Sequence, residues 1–175
     1  MRKILLLMIA ALILQIGTAF ALPVIDVESQ QSAFSLSNHN GDKSKDYSFT
    51  TQLNSTFAIG FQHVDWDEDT NMNDFYGQFY IDEKGQTRVI VGNRNYHSES
   101  KMLYGLAATI PLNDQWSGYA ALLGVGKLHN DSPYEFEVGA CYKITDTAVL
   151  NFEYRNISDG GIKKKGAGIG LTTIL

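Results

Sequence analysis

Residues 134–144 alternate apolar and non-apolar positions without a break, with Tyr134, Phe136, Val138, Ala140 and Tyr142 on one face and Glu135, Glu137, Gly139, Cys141 and Lys143 on the other. A period of two marks a strand with two unlike faces. Aromatic residues close both ends of the apolar stripe and aliphatic ones fill it. That is the layout of a strand in a lipid-facing barrel, whose outward apolar band of about 25 Å is bounded by aromatic girdles.

The pattern recurs, and it predicts ten strands over residues 31–38, 46–53, 56–65, 74–82, 87–96, 101–110, 115–126, 134–144, 147–156 and 165–174. Eight is the alternative count if the amino-terminal stretch is a tail and a neighbouring pair is misread, since closed bacterial barrels have even strand numbers. Segments 50–57, 108–116 and 141–148 each hold a strand, a few residues of Asn, Asp, Ser or Thr turn chemistry and another strand, and 82–86 is a fourth tight connection. The intervening segments, 38–46, 66–74, 97–101, 127–133 and 158–165, are longer and more polar. Short turns on one rim and longer loops on the other predict the asymmetry of an outer-membrane barrel.

Alternation does not say which face points inward, because a soluble barrel around an apolar ligand has the same period with the faces exchanged. Composition favours lipid outside. Gly118, Ala120 and Gly124 on one strand, and Gly166, Gly168 and Gly170 on the last, are assigned to the inner face. Small residues there leave room for long ones in a narrow lumen. Arg88, Arg94, Glu135, Glu137, Lys143, Glu153 and Arg155 fall on the same inward phase, where buried charges must pair to offset their desolvation. The expectation is a lumen filled mostly by ion pairs and small residues, as suits barrels with few strands.

The amino terminus adds an address. Arg2 and Lys3 precede a nearly continuous apolar run, Ile4 to Ile16, and Ala19-Phe20-Ala21 puts small residues at the cleavage-determining positions. This reads as a secretory signal peptide over residues 1–21, leaving one domain over 22–175. The apolar run is shorter than the roughly 20 residues a membrane-spanning helix needs. Removing residues 1–21 leaves 12 basic and 19 acidic side chains, a formal charge of −7 against −5 for the whole chain. Such an acidic chain does not suit nucleic acid, whose affinity comes from neutralising phosphates. The single cysteine, Cys141, cannot form an internal disulfide and reads as a small buried thiol.

The Phe61–Tyr76 stretch, the segment Val91-Gly92-Asn93-Arg94-Asn95-Tyr96, and the ending with Phe152-Glu153-Tyr154-Arg155 and Gly168-Ile169-Gly170-Leu171 together resemble the YfaZ-type family of small outer-membrane proteins. The resemblance implies a β-barrel in the outer membrane and no established catalytic residues. Such barrels usually end in an aromatic residue, whereas Leu175 keeps the outward apolar phase without the ring.

A second, local similarity concerns the segment 155–162, which resembles the active-site segment of outer-membrane lipid A deacylases. Ser158 stands in the nucleophile's place, but Asn156 occupies the position of the activating histidine. An amide cannot take the serine proton, and Gly168 and Gly170 lie where an acidic partner would be expected, so the segment reads as a degenerate site in a flexible loop. In another connection, the spacing of Asp65, Asp67 and Asp69, followed by Asp74, imitates the start of a calcium loop. Thr70 replaces the required glycine and Tyr76 the closing glutamate, which excludes an EF-hand and leaves a loose divalent-cation loop as the alternative to a solvated one. His39, His63, His97 and His129 lie near the long-loop rim without the tight spacing of structural metal sites. The Gly166-x-Gly168-x-Gly170 run has no following helix and is not a nucleotide motif.

The sequence therefore predicts an all-β fold, a single antiparallel up-and-down transmembrane β-barrel of about ten strands. The expected role is structural, adhesive or narrow permeation, without catalysis or cofactor. The expected surroundings are outer-membrane lipid and lipopolysaccharide, reached through the outer-membrane assembly machinery, with the protein as a monomer. A soluble exported barrel holding a small apolar ligand and a degenerate lipid A hydrolase are the alternatives.

Overall fold

The computed structural model describes residues 31–40, 44–66, 70–82, 86–96, 99–126, 133–159 and 162–175. The signal-peptide segment lies outside these, as do Asp67, Asp69, His97 and His129. Ten strands follow in order: β1 (Ser32–His39), β2 (Ser44–Asn54), β3 (Phe57–Trp66), β4 (Thr70–Tyr80), β5 (Thr87–Tyr96), β6 (Glu99–Pro111), β7 (Trp116–Val125), β8 (Tyr134–Thr145), β9 (Ala148–Asp159) and β10 (Ile162–Ile174). Each pairs antiparallel with its sequence neighbours, and β1 pairs with β10, closing an up-and-down barrel. Closure is tied where β1 begins and β10 ends by Ser32 N donating to Leu175 O at 3.3 Å and Leu175 N donating to Ser32 O at 2.7 Å.

The turns use the chemistry their residues offer. Asn54 Oδ1 accepts from Thr56 N, and Asn113 Oδ1 accepts from the N–H groups of both Gln115 and Trp116, each at 2.9 Å. These side chains satisfy amides that the ladder leaves free at a reversal. Register shifts at Gln52/Asn54 and at Lys143/Thr145 leave Leu53 and Ile144 as extra residues beside their turns. Such bulges bend a strand and sharpen its twist. At the opposite rim Gly126 leaves β7 with φ +91°, a conformation that glycine adopts without the Cβ penalty.

The faces divide sharply. Phe75, Leu106, Ile110 and Leu122 are 56–61% exposed on the outer wall, while Arg88, Glu135, Glu137 and Arg155 are 0% exposed inside. On every side the outer face is apolar over the middle of the strands, with Phe34 and Leu36 on β1, Phe49 on β2, Phe61 on β3, Phe79 on β4, Val91 on β5, Phe136 on β8 and Leu171 on β10 all exposed. In water such a continuous apolar wall would be an association surface. In a bilayer it faces its solvent, and a closed ring of strands satisfies the backbone without an open edge. The architecture is that of a transmembrane β-barrel.

Three expectations are corrected. Gly118, Ala120 and Gly124 lie on the outer face, since they pair with the outward Ala140, Val138 and Tyr134, and β7 instead turns Tyr119, Ala121, Leu123 and Val125 inward. The run Ala120-Ala121-Leu122-Leu123 is apolar in both phases, so alternation cannot choose between them, and pairing with β8 decides. The lumen accordingly contains an apolar cluster of Tyr76, Ile90, Leu103, Tyr119, Leu123 and Val125 besides its ion pairs. The strands also reach further than the polar segments suggest. β3 and β4 are joined across 67–69, β5 and β6 across 97–98, and β9 and β10 across 160–161, so the asymmetry between long-loop and short-turn rims is much weaker than the sequence implies.

Small residues do face large ones inside. The positions where a Cβ would stand on Gly60 and Gly139 collide with the rings of Tyr76 and Tyr119, their cross-strand partners. Adjacent positions on β8 therefore test opposite faces. Val138→Arg, placed mid-strand between Ala120 and Tyr154 on the outer wall, should cost about 2–4 kcal/mol near the bilayer midplane. Gly139→Ala should cost about 1–3 kcal/mol through overpacking against Tyr119. Reversible urea unfolding from lipid vesicles reads both, and a harmless Val138→Arg would reverse the face assignment.

Candidate functional site in the barrel lumen

Strand phase brings a set of charged side chains into the interior. Asp74 on β4 is bound by Arg94 on β5, with Nη2 to Oδ2 at 2.6 Å and Nε to Oδ1 at 2.9 Å, a two-pronged clasp. The same Arg94 Nη2 reaches Glu135 Oε2 on β8 at 2.8 Å. Glu135 Oε1 accepts from Arg155 Nε on β9, and Arg155 Nη1 lies 3.6 Å from Asp46 Oδ2 on β2. Asp46 is further held by Gln62 Nε2 at 3.1 Å and Ser44 Oγ at 3.4 Å. The result is one chain of alternating charge, Asp74–Arg94–Glu135–Arg155–Asp46, running across the lumen. Charge-assisted and bidentate contacts of this kind are the strong ones inside proteins.

Around this strut sit smaller groups. His39 Nε2 contacts Glu153 Oε1 at 2.8 Å, and Tyr119 OH donates to Glu153 Oε2 at 3.2 Å. Arg88 donates to Gln78 Oε1 at 3.3 Å and to Thr109 Oγ1 at 2.5 Å, and lies 5.3 Å from the Tyr80 ring centroid. At the β1–β10 seam, Ser35 and Thr172 hydroxyls are 2.5 Å apart, and Asn151 Nδ2 donates to Thr172 Oγ1 at 2.7 Å. Toward the loop rim, Val64, Trp66, Met72 and Ile157 form an apolar layer with Tyr96 packed on it. Over these layers the inward side chains are buried.

Of the residues assigned to the lumen from the sequence, Arg88, Arg94, Glu135, Glu137, Glu153 and Arg155 point inward and are buried. Lys143 does not join them. It stands at the short-turn rim, where its Nζ meets Asp146 Oδ1 at 2.6 Å and holds that carboxyl below its ordinary value through the hydrogen bond and the charge. Asp74, read as a loop carboxylate for a divalent cation, is instead a fully buried lumen residue of β4, because the strand begins at Thr70. Asp65 is exposed on the outer phase of β3, so the two acids do not converge. Among the described residues no group of three or more His, Cys, Asp or Glu is arranged to hold a metal. Ser158, assigned to a loop, lies within β9 on the outward phase beside Asn156, and pairs in register with Tyr134 and Lys163. Asp46, Asp74, Gln62 and His39 were missed as lumen partners. The signal was available in β2, where Ser44, Asp46, Ser48 and Thr50 alternate with Lys45, Tyr47 and Phe49.

No protein-family model and no curated protein matches this chain. Among solved structures, it is similar to a barrel from work titled de novo design of transmembrane beta-barrels, at 11% identity and TM-score 0.44, over 86% of this chain and 100% of that one. It is also similar to the N-terminal β-barrel domain of Pseudomonas aeruginosa OprF, at 11% identity and TM-score 0.45, over 84% and 98% of the two chains. The de novo designed TMB2.3 gives 14% identity and TM-score 0.45, over 85% and 95%. These values mark a loose likeness of barrel shape.

Glu135 is the shared acceptor of two arginines, so Glu135→Ala removes one carboxylate partner from each, leaving Arg94 on Asp74 and Arg155 on Asp46. Breaking a buried pair from one side costs about 3–5 kcal/mol, and that loss should appear as a lowered urea midpoint for the folded, heat-modifiable form. Lys143→Gln should leave the midpoint unchanged, because exposed pairs contribute little.

Proposed function

We propose that this chain is a small barrel protein of the bacterial outer membrane whose work is done by its outer wall and rims, with a closed interior and no catalysis. One observation carries the reading: the lipid-compatible outer wall encloses a lumen crossed by the Asp74–Arg94–Glu135–Arg155–Asp46 strut. A soluble carrier of an apolar ligand would need the reverse arrangement, an apolar cavity inside a polar wall. The interior offers a solute no open path between these layers, which favours a structural or adhesive role over permeation. The YfaZ-type resemblance points to the same class of protein.

The chain should pellet with outer membranes, survive carbonate washing, and migrate faster on unboiled than on boiled SDS gels. Recovery as a monodisperse soluble protein would overturn the reading. In planar lipid bilayers the folded protein should give no stepwise conductance.

Absence of hydrolysis is part of the proposal. Asn156 lies beside Ser158 on the outward phase of β9, and an amide provides no general base. Expression should leave the acyl-chain number of lipid A unchanged, with Ser158→Ala indistinguishable from wild type. A serine-dependent loss of one acyl chain, seen by mass spectrometry of extracted lipid A, would make the protein an enzyme.

A further inference from the structure

The outward positions of three adjacent strands meet at the loop rim in one shallow groove, lined by Tyr134 from β8, Asn156 and Ser158 from β9, and Lys163 and Lys165 from β10. Register sets them side by side, since Ser158 pairs with both Tyr134 and Lys163, and Asn156 pairs with Lys165. Both lysines are exposed, and neither has a carboxylate partner among the described residues. Directly toward the membrane lie Phe136, Tyr154 and Ala167 on the same strands. The groove thus sits where the apolar wall gives way to polar outward positions. It offers two ammonium groups, an amide and a hydroxyl above a lipid-facing surface.

We infer that this groove binds the phosphomonoester headgroup of a membrane lipid, with Lys163 and Lys165 neutralising the phosphate, Asn156 and Ser158 donating hydrogen bonds, and the acyl chains lying along Phe136, Tyr154 and Ala167. The inference rests on the membrane-spanning reading above. Two neighbouring cations match the two charges of a phosphomonoester better than the single charge of a phosphodiester. The position beside the apolar wall selects a lipid over a soluble phosphate, since the chains of a bound lipid would be buried at no further cost. The Ser158 hydroxyl, without a base, serves here as a donor and not as a nucleophile.

The test uses the whole folded protein in nanodiscs of phosphatidylcholine doped with either phosphatidic acid or phosphatidylglycerol, with retained lipid counted by native mass spectrometry. Wild type should retain phosphatidic acid in preference to phosphatidylglycerol, and equal retention overturns the proposal without recourse to any variant. The Lys163→Gln/Lys165→Gln variant should retain phosphatidic acid on the order of tenfold less, each lysine near a membrane surface contributing several-fold. The Lys163→Arg/Lys165→Arg variant should restore most of it, and Lys143→Gln at the opposite rim should change nothing. Undiminished retention by the glutamine variant refutes the site. Displacement of the lipid by millimolar inorganic phosphate refutes the lipid as its ligand. Gel heat-modifiability is read in parallel: a wild-type chain that never gains the fast-migrating form fails the membrane reading itself, which is a different outcome from a folded barrel that ignores phosphatidic acid.

Discussion

Closure of the ladder constrains everything else in this molecule. Each of the ten strands is paired on both sides, with β1 meeting β10 over Ala33 to His39, so the sheet ends in no unpaired edge. A bilayer core offers no hydrogen bonds to a bare amide, and a closed ring is one of the two ways a backbone can cross it. Closure also fixes the interior. A ring of ten strands is narrow, each inward side chain faces others across the lumen, and the alternation that puts Phe136 and Val138 outside necessarily puts Glu135 and Glu137 inside.

That enforced burial explains the chemistry of the lumen. Charges brought inside must find partners, and here they find them both on the neighbouring strand and across the lumen. Arg94 on β5 holds Asp74 on β4 and reaches over to Glu135 on β8, while Arg155 on β9 spans from Glu135 toward Asp46 on β2. Ladder hydrogen bonds link only adjacent strands. The charge strut adds contacts across the lumen, from β5 to β8 and from β9 to β2, that the ladder does not make. Tyr76 against Gly60 and Tyr119 against Gly139 pack neighbouring strands instead, because each ring occupies space that a Cβ on the adjacent strand would fill.

Much of this was legible because a period of two survives wherever the two faces differ in polarity. β8 and β9 have unlike faces along most of their length, and their inward Glu135, Glu137, Glu153 and Arg155 could be assigned by counting. β7 could not be phased this way, since Ala120 to Leu123 are apolar on both faces and only the pairing of Gly118 with Ala140 shows which side is out. Strand ends were misjudged for a related reason. Outside the bilayer band the outer face becomes polar, as with Asn71 and Asn73 on β4 or Asn156 and Ser158 on β9. Polar residues on both faces look like loop. Asp74 was lost from the lumen by that route, although Tyr76 and Gln78 continue its phase. The strut itself was not legible, because Asp46 and Arg155 are joined only by a closure that brings β2 and β9 within reach of one another.

On the proposed reading of a closed interior, the question of function moves to the surface. The outer wall of this barrel is uniform over its apolar band, with Phe, Leu, Ile, Val and Tyr on strand after strand, and uniform surfaces select lipid in general and no lipid in particular. Selectivity needs an interruption. The β8–β10 side supplies one at the loop rim, where Lys163 and Lys165 stand exposed next to Tyr134, Asn156 and Ser158. Buried cations such as Arg94 and Arg155 are committed to the strut. Lys143 is joined to Asp146 at the other rim. The pair on β10 is thus set apart from the cations that the fold consumes, and its position at the polar edge of the lipid-facing wall gives it the environment in which a phosphate and its acyl chains would both be accommodated.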